Sequence, residues 1–492
     1  MVGSPGRSSS SPDAPPSHRE LLSRREYVKG AAATGLVAGL GGCALGQTGT
    51  TGDGTTVQLV ADSTAKDGAE TINRALHAAG LSGDIDVEVL AVSSDTAQQQ
   101  YSQWLSAGLE QPSLLRMDNG WTIPFILRDQ VVDLSEAIPE VTQRLKEEFF
   151  AAGMETATGP DGGVYGVPLF TDFGLMLYRK DLMEEAGVDH GGWATNPPTW
   201  ERFSKAVKRT LESTETSHGF TFQGTIYEGL PCCTFNEFMT TRGGSYFGAR
   251  ENLIGHVGER PVTVDSQPVI DANRMVRTFI LGTDDPHSMD GVAGGISPQA
   301  VLSWDEQPSL SDFTGGNAVA HRNWPYSVLS AGAADAFGEG LGVMPIPRGV
   351  PPEEAPFDGM GGSRSALGGW HVTLNPNARH EQAALAVLRA VSRDEFYLAM
   401  MKEFGYVPPK PALLDTQAAR NIEVMGRYVD TLKFAGEHAV PRPVSVVWPR
   451  ESPRIAQRVS ATFAGEQAPQ PAMATLKEDL VQIERSVGEA RG

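Results

Sequence analysis

Residues 56–92 read TVQLVADSTAKDGAETINRALHAAGLSGDIDVEVLAV, and their periodicity changes twice. In the first seven residues Val57, Leu59 and Ala61 alternate onto one face, the two-residue period of a strand. From Thr64 the period lengthens: Ile72, Leu76 and Ala79 recur at i, i+4 and i+7, the stripe of an amphipathic helix. IDVEVLAV (85–92) returns to strand spacing. Strands that alternate with helices at this pitch imply an α/β domain with a mainly parallel sheet.

The alternation continues downstream. TAQQQYSQWLSAGL (96–109) has helix composition, and the apolar run SLLRMD (113–118) ends on an acid before a loop with Trp121 and Pro124. Ile138, Val141, Leu145 and Phe149 then keep helical spacing. Ligands of open α/β sheets gather beyond the carboxyl ends of the strands, and Asp118 stands at such an end. A second unit follows GVYGVPLFTDFGLMLYRKDLMEEAG (163–187). There Thr199 is the expected cap of the helix WERFSKAVKRTLE, with Trp200, Phe203 and Val207 facing inward. NAVAHRNWPYSVL (317–329), LGVMPIP (341–347) and LGGWHVTLNP (367–376) follow, and residues 349–364 have loop composition.

Upstream lies SRREYVKGAAATGLVAGLGGC (23–43). Its uncharged stretch is too short and too rich in Gly and Ala to span a bilayer, which takes about 20 apolar residues. A short apolar region behind a positive flank is the layout of an export signal, and the adjacent Arg24 and Arg25 resemble the twin-arginine variant. Leu40-Gly41-Gly42-Cys43 is similar to a lipobox, which implies lipidation of Cys43. Residues 1–43 are therefore expected to be a Tat-type lipoprotein signal peptide and residues 44–55 a flexible linker. The expected location is the extracellular face of the cell membrane, held by the lipid alone.

The 492 residues carry 60 acidic and 40 basic side chains, a net charge of −20, which argues against nucleic acid as a partner. Ten of the basic residues are Lys and thirty are Arg. An acidic, lysine-poor chain suits high salt, and a GC-rich genome would also favour Arg. Besides Cys43 the chain has only the adjacent Cys232 and Cys233, and neighbouring cysteines are not expected to bond to each other. No metal-ligand spacing, nucleophile elbow or phosphate-cradling loop occurs, so neither a metal nor a cofactor is expected.

Acids and aromatics instead fall together at strand ends and loops: Asp118 with Trp121, Phe170 with Asp172, Tyr227 with Glu228, Trp324 with Tyr326, and Trp370 after two glycines. A pyranose asks for this mixture. Its C–H face packs on an aromatic ring, while its hydroxyls take carboxylates and forked Arg donors.

YGVPLFTDFGLMLYRKDLMEEAGV (165–188) resembles the segment that crosses between lobes in extracellular solute-binding proteins of sugar ABC importers. FQGTIYEGLPCCTFNEFMTTRGG (222–244), RNWPYSVL, LGVMPIP, LGGWHVTLNP, YVPPKPALL (406–414) and AVPRPVSVVWP (439–449) follow in that family's order. The resemblance covers nearly all of residues 56–490 and is nearest to the trehalose/maltose-binding branch. It implies a two-lobed, type II periplasmic-binding-protein-like α/β fold with the ligand cleft between lobes joined by hinge segments. Lobe 1 would comprise residues 56–171 with 372–405, and lobe 2 residues 172–371 with 406–492, with crossings near Phe173, Trp370 and Gly405.

The resemblance also assigns a site. Asp118 and Asp172 would accept hydrogen bonds from sugar hydroxyls. Trp324, Tyr326 and Trp370 would form stacking walls, with Trp121 alongside, and Gly369 would let the backbone approach the ligand. Arg442, between Pro441 and Pro443, would supply a forked donor. Phe170 stands where relatives can carry a tyrosine, and Glu70 is the candidate for a first-helix acid. The implied protein is a monomer that performs no chemistry and hands its sugar to an ABC permease driven by an ATPase. Two alternatives stand beside it: a lipid-anchored glycoside-acting enzyme using Asp118 and Asp172, and a receptor that presents a solute to a sensor.

Overall fold

The computed structural model describes residues 54–254 and 257–488. The expected signal peptide, with Arg24, Arg25 and Cys43, lies outside the described residues, as does all but the end of the expected linker. Thr55, the last linker residue, already belongs to the first strand.

Among the described residues ten strands form two sheets. They are β1 (Thr55–Ala61), β2 (Ile85–Ala91), β3 (Leu114–Asp118), β4 (Val167–Phe173), β5 (Leu175–Arg179), β6 (His218–Thr221), β7 (Ala318–Asn323), β8 (Leu341–Pro345), β9 (Ser365–Leu374) and β10 (Ala439–Val440). The first sheet runs β10-β9-β3-β1-β2, with β4 paired to β9; the second runs β6-β7-β5-β8. The local expectation of parallel pairing holds for β2, β1 and β3. Both sheets are nevertheless mixed, since β9 lies antiparallel to β3 and β4, and β5 antiparallel to β7 and β8. Antiparallel strands enter because the chain changes sheets: β4 hands over to β5 through Gly174 alone. The expected boundaries at 171/172 and 371/372 fall inside β4 and β9, both strands of the first sheet.

Alternation buries both faces of each sheet. Val57 and Leu59 of β1 pack with Ile72 and Leu76 of the helix Ala69–Ala78, whereas Val60 joins Tyr101, Leu115, Met117 and Phe125 on the other side. In β5, Met176 and Tyr178 meet the Trp200 and Phe203 core. Leu175 and Leu177 face a cluster with Phe150, Phe173, Leu367 and Val407, which therefore packs around the passages between the sheets.

Several expected helices are interrupted. The helix expected from Thr64 breaks at Gly68, where a Cβ would come within 2.4 Å of the Phe404 ring. The run over residues 381–396 splits into Glu381–Val391 and Asp394–Phe404. Thr199 caps Trp200–Ser213 as expected, its hydroxyl accepting the Arg202 N–H, and Trp200, Phe203 and Val207 are fully buried. The expectation for the adjacent cysteines is corrected: Cys232 and Cys233 are disulfide-bonded, with Cα atoms 3.8 Å apart. They sit in a π-helical turn, Leu230–Thr234, that opens the buried helix Phe235–Thr241.

Candidate ligand-binding site

β3 delivers Asp118 to its carboxyl end, where the carboxylate accepts the Gly120 N–H at 2.6 Å. β10 leads directly into Pro441-Arg442-Pro443, and the rings on either side fix the local backbone. Arg442 Nη2 reaches Asp118 Oδ1 at 2.9 Å, Asp118 Oδ2 at 3.2 Å and Asn119 Oδ1 at 3.3 Å. Its Nη1 stands 3.6 Å from Glu228 Oε1. Glu228 in turn accepts Trp448 Nε1–H at 2.7 Å and the Ser452 hydroxyl. The fork lies flat on Gly120, where a Cβ would come within 2.7 Å of the guanidinium.

Trp370 lies opposite Asp118 in the β3–β9 register. The Arg116 guanidinium covers one face of its ring at 3.8 Å, and Arg116 is itself tied to Asp62 at 2.6 Å. Asp62 directly follows β1 and caps the next helix through the Ala65 N–H. Trp121 meets Trp370 at right angles, centroids 6.2 Å apart.

β4 supplies Phe170 and Asp172. Phe170 is buried and stacks on Tyr406 at 4.0 Å, so it backs that ring. Gly369 has φ +116°, and a Cβ there would stand 2.7 Å from the Phe170 carbonyl. The glycine thus admits the close approach of β4, at the register shift between Pro168 and Phe170. Among the described residues no other side chain hydrogen-bonds the Asp172 carboxyl, which takes a hydrogen bond from the Phe173 backbone. Desolvation lifts its pKa to about 8, against the pull of Arg322, and the charges of Asp118 and Glu306 add to the rise.

Trp324 follows β7. It and Asp172 flank Gly368, with Trp324 Cζ3 3.0 Å and Asp172 Cβ 3.2 Å from where a Cβ on that glycine would be. Arg322 lies 4.4 Å from the Trp324 ring centre. Glu306 Oε1 accepts from Tyr227 Oη at 2.7 Å and from Trp324 Nε1 at 3.4 Å. Tyr326 opens the next short helix, and its hydroxyl accepts from Gln307 Nε2 at 3.4 Å.

Asp118, Trp121, Phe170, Asp172, Trp324, Tyr326, Gly369, Trp370 and Arg442 therefore line one connected region at the strand ends. Glu70 stands apart: its side chain is 97% exposed, and its ion-pair partner is Arg74 at 3.9 Å. Sequence reading missed Asp62, Arg116, Tyr406 and Glu306. Of these, only Asp62 carried a signal, as the acid that closes a strand. Among the described residues no cluster of His, Cys, Asp and Glu is arranged to hold a metal ion.

The chain is 25% identical over 401 residues to a probable ABC transporter-binding protein of Deinococcus radiodurans, covering 79% of this chain and 84% of that one. It is 25% identical over 228 residues to an arabinooligosaccharide-binding protein of Halalkalibacterium halodurans, 46% of this chain and 42% of the relative. Maltose-bound MalE3 of T. maritima shares the fold with a TM-score of 0.70 and 23% identity, covering 86% of this chain and 98% of that one. The GacH receptor of Streptomyces glaucescens, solved unliganded and with acarbose, gives 0.66 and 17%, covering 87% and 98%. The architecture is the two-lobed type II periplasmic-binding-protein-like fold. The paired-carboxylate enzyme reading gives way to a family of binders, not of enzymes. Residues 65–396 match its model, and this chain belongs to the bacterial extracellular solute-binding proteins.

Proposed function

We propose that this chain is a lipid-anchored extracellular binding protein that captures a carbohydrate, a disaccharide such as trehalose or maltose, and delivers it to an ABC permease. One observation carries the reading: Trp324 and Trp370 are each backed by a buried arginine, next to the Asp118–Arg442 fork and the desolvated Asp172 carboxyl. Rings held by a guanidinium keep their planes, and a sugar needs flat apolar faces beside charged hydrogen-bonding groups. Micromolar affinity is worth about −8 kcal/mol, within reach of two stacked rings and several charge-assisted hydrogen bonds once closure excludes water. Binding energy then draws the lobes together about the crossings near Phe173, Trp370 and Gly405. The closed monomer is what the permease recognises, and its ATPase drives uptake. The carbohydrate ligands named for the maltose-, acarbose- and arabinooligosaccharide-binding relatives support the ligand class.

Export by the Tat route and lipidation at Cys43 complete the proposal, resting on Arg24, Arg25 and the lipobox-like Leu40–Cys43. The test is intrinsic tryptophan fluorescence titrated with trehalose, maltose, sucrose and glucose in high salt. A saturable change with one sugar, lost in Trp370→Ala, is expected. A folded protein that responds to none of them overturns the carbohydrate reading. Metabolic labelling with palmitate, abolished by Cys43→Ala, tests the anchor.

A further inference from the structure

Glu237 sits on the buried helix Phe235–Thr241 and is not among the residues expected to touch a ligand. Its carboxylate accepts three hydrogen bonds from two separate segments. Arg322 donates through Nε at 2.7 Å and Nη2 at 2.6 Å, and the Ala366 N–H at the start of β9 donates at 3.0 Å. A third segment presses on the same oxygen: at Gly174, the single residue between β4 and β5, a Cβ would stand 1.8 Å from Glu237 Oε1. The helix therefore grips both strands by which the chain passes between its two sheets. Arg322 carries the grip onward, since its guanidinium also lies against Trp324 and donates to Gln223 Oε1 at 3.1 Å.

A bidentate pair with both side chains 2% exposed is not needed for stability alone. Apolar residues of equal volume often pack at least as well in such a place. What the ion pair adds is direction. A planar fork accepts one orientation of its partner, so the crossing strands and the Trp324 ring plane are referred to a single carboxylate. We propose that Glu237, acting through Arg322, is a positioning residue that couples the angle between the sheets to the placement of Trp324. The inference rests on the ligand-binding reading for its consequence but not for the coupling itself.

Gly174→Ala removes no polar group and intrudes on the ion pair itself, its Cβ falling 1.8 Å from Glu237 Oε1 and 2.6 Å from Arg322 Nη2, while Glu237→Gln keeps the acceptor for Ala366 and discards the charge facing Arg322. The first arm needs no ligand. The emission of Trp324, taken as the difference between each protein and its Trp324→Phe counterpart, is expected to shift in Gly174→Ala and in Glu237→Gln. The second arm titrates maltose and follows compaction by small-angle X-ray scattering. Both variants are expected to bind at least about tenfold more weakly, with the two changes together costing less than the sum of each alone. Arg322→Lys, which keeps the charge but loses the fork, should shift the Trp324 emission as well. If Glu237→Gln does not fold, Gly174→Ala decides. Folded variants with unchanged Trp324 emission overturn the coupling, and unchanged maltose affinity and compaction overturn its role in binding. A wild-type protein that ignores maltose and the other sugars defeats the carbohydrate reading and leaves the emission arm to judge the coupling.

Discussion

Arg442 Nη2 lies 2.9 Å from Asp118 Oδ1, although 324 residues of chain separate them. The pair joins the end of β3 to the segment after β10, and Gly120 is the surface on which the guanidinium rests. Gly120→Ala would place a Cβ 2.7 Å from that guanidinium without deleting any hydrogen-bonding group. Overpacking of this kind costs about 1–3 kcal/mol, and here it also turns the fork away from Asp118. The expected outcome is a weaker calorimetric affinity for whichever sugar the fluorescence titration identifies. Arg442→Lys should weaken it too, since an ammonium does not reproduce the fork. Unaltered affinity in both would remove Arg442 from the site.

Asp172 makes the site pH-dependent, with a sign that can be worked out. Its pKa in the folded protein is about 8, raised chiefly by desolvation, against about 3.9 in an unfolded chain. Between those values the folded state holds a proton that the unfolded state has released. Stability therefore falls as pH rises through this window, and the loss is complete above about 8. Asp172→Asn cannot ionise, so its melting temperature should gain on the wild type from pH 5 to pH 9. A constant difference across that range would contradict the raised pKa.

Local pattern explains what was legible in the sequence. Thr199 capping a helix, Val57 and Leu59 on one face, and Asp118 at a strand end are properties of short stretches. The missed features are long-range. Arg116 is paired with Asp62 across 54 residues, and Phe170 is stacked on Tyr406; neither pairing has a local signature. The strand order was out of reach for the same reason, since β9 is brought between β3 and β4 by chain that has passed through the second sheet. The packing of Gly369 against the β4 backbone was illegible too, since it depends on a register that residue types do not encode.

Away from the candidate site, Arg260 is fully buried between Glu451 and Glu484, at 3.3 and 2.7 Å, and lies 3.6 Å from the Phe247 ring centre. Two acids share one cation. Burial lifts the Glu451 pKa to about 8, with Arg260 opposing and Glu484 adding to the rise. Arg260→Met leaves both acids without a counter-charge, a change that costs about 3–5 kcal/mol in comparable buried pairs. The cost should shrink at pH 5, where the carboxyls can take up protons. Denaturant unfolding at pH 5 and pH 8 separates this from simple loss of packing, which would give equal costs at the two values.

The bond between Cys232 and Cys233 makes a chemical prediction that needs no ligand. Both side chains are 3% exposed and lie in the π-helical turn between Glu228, beside Arg442, and the helix that carries Glu237. In protein unfolded without reductant, neither sulfur should react with iodoacetamide, because no thiol is present. After reduction the peptide that contains them should carry two carbamidomethyl groups by mass spectrometry. Burial alone would protect the thiols only until the chain unfolds, so labelling of the unreduced, denatured protein would show free cysteines. Absence of label before reduction, with double label after it, separates a bonded pair from a merely buried one.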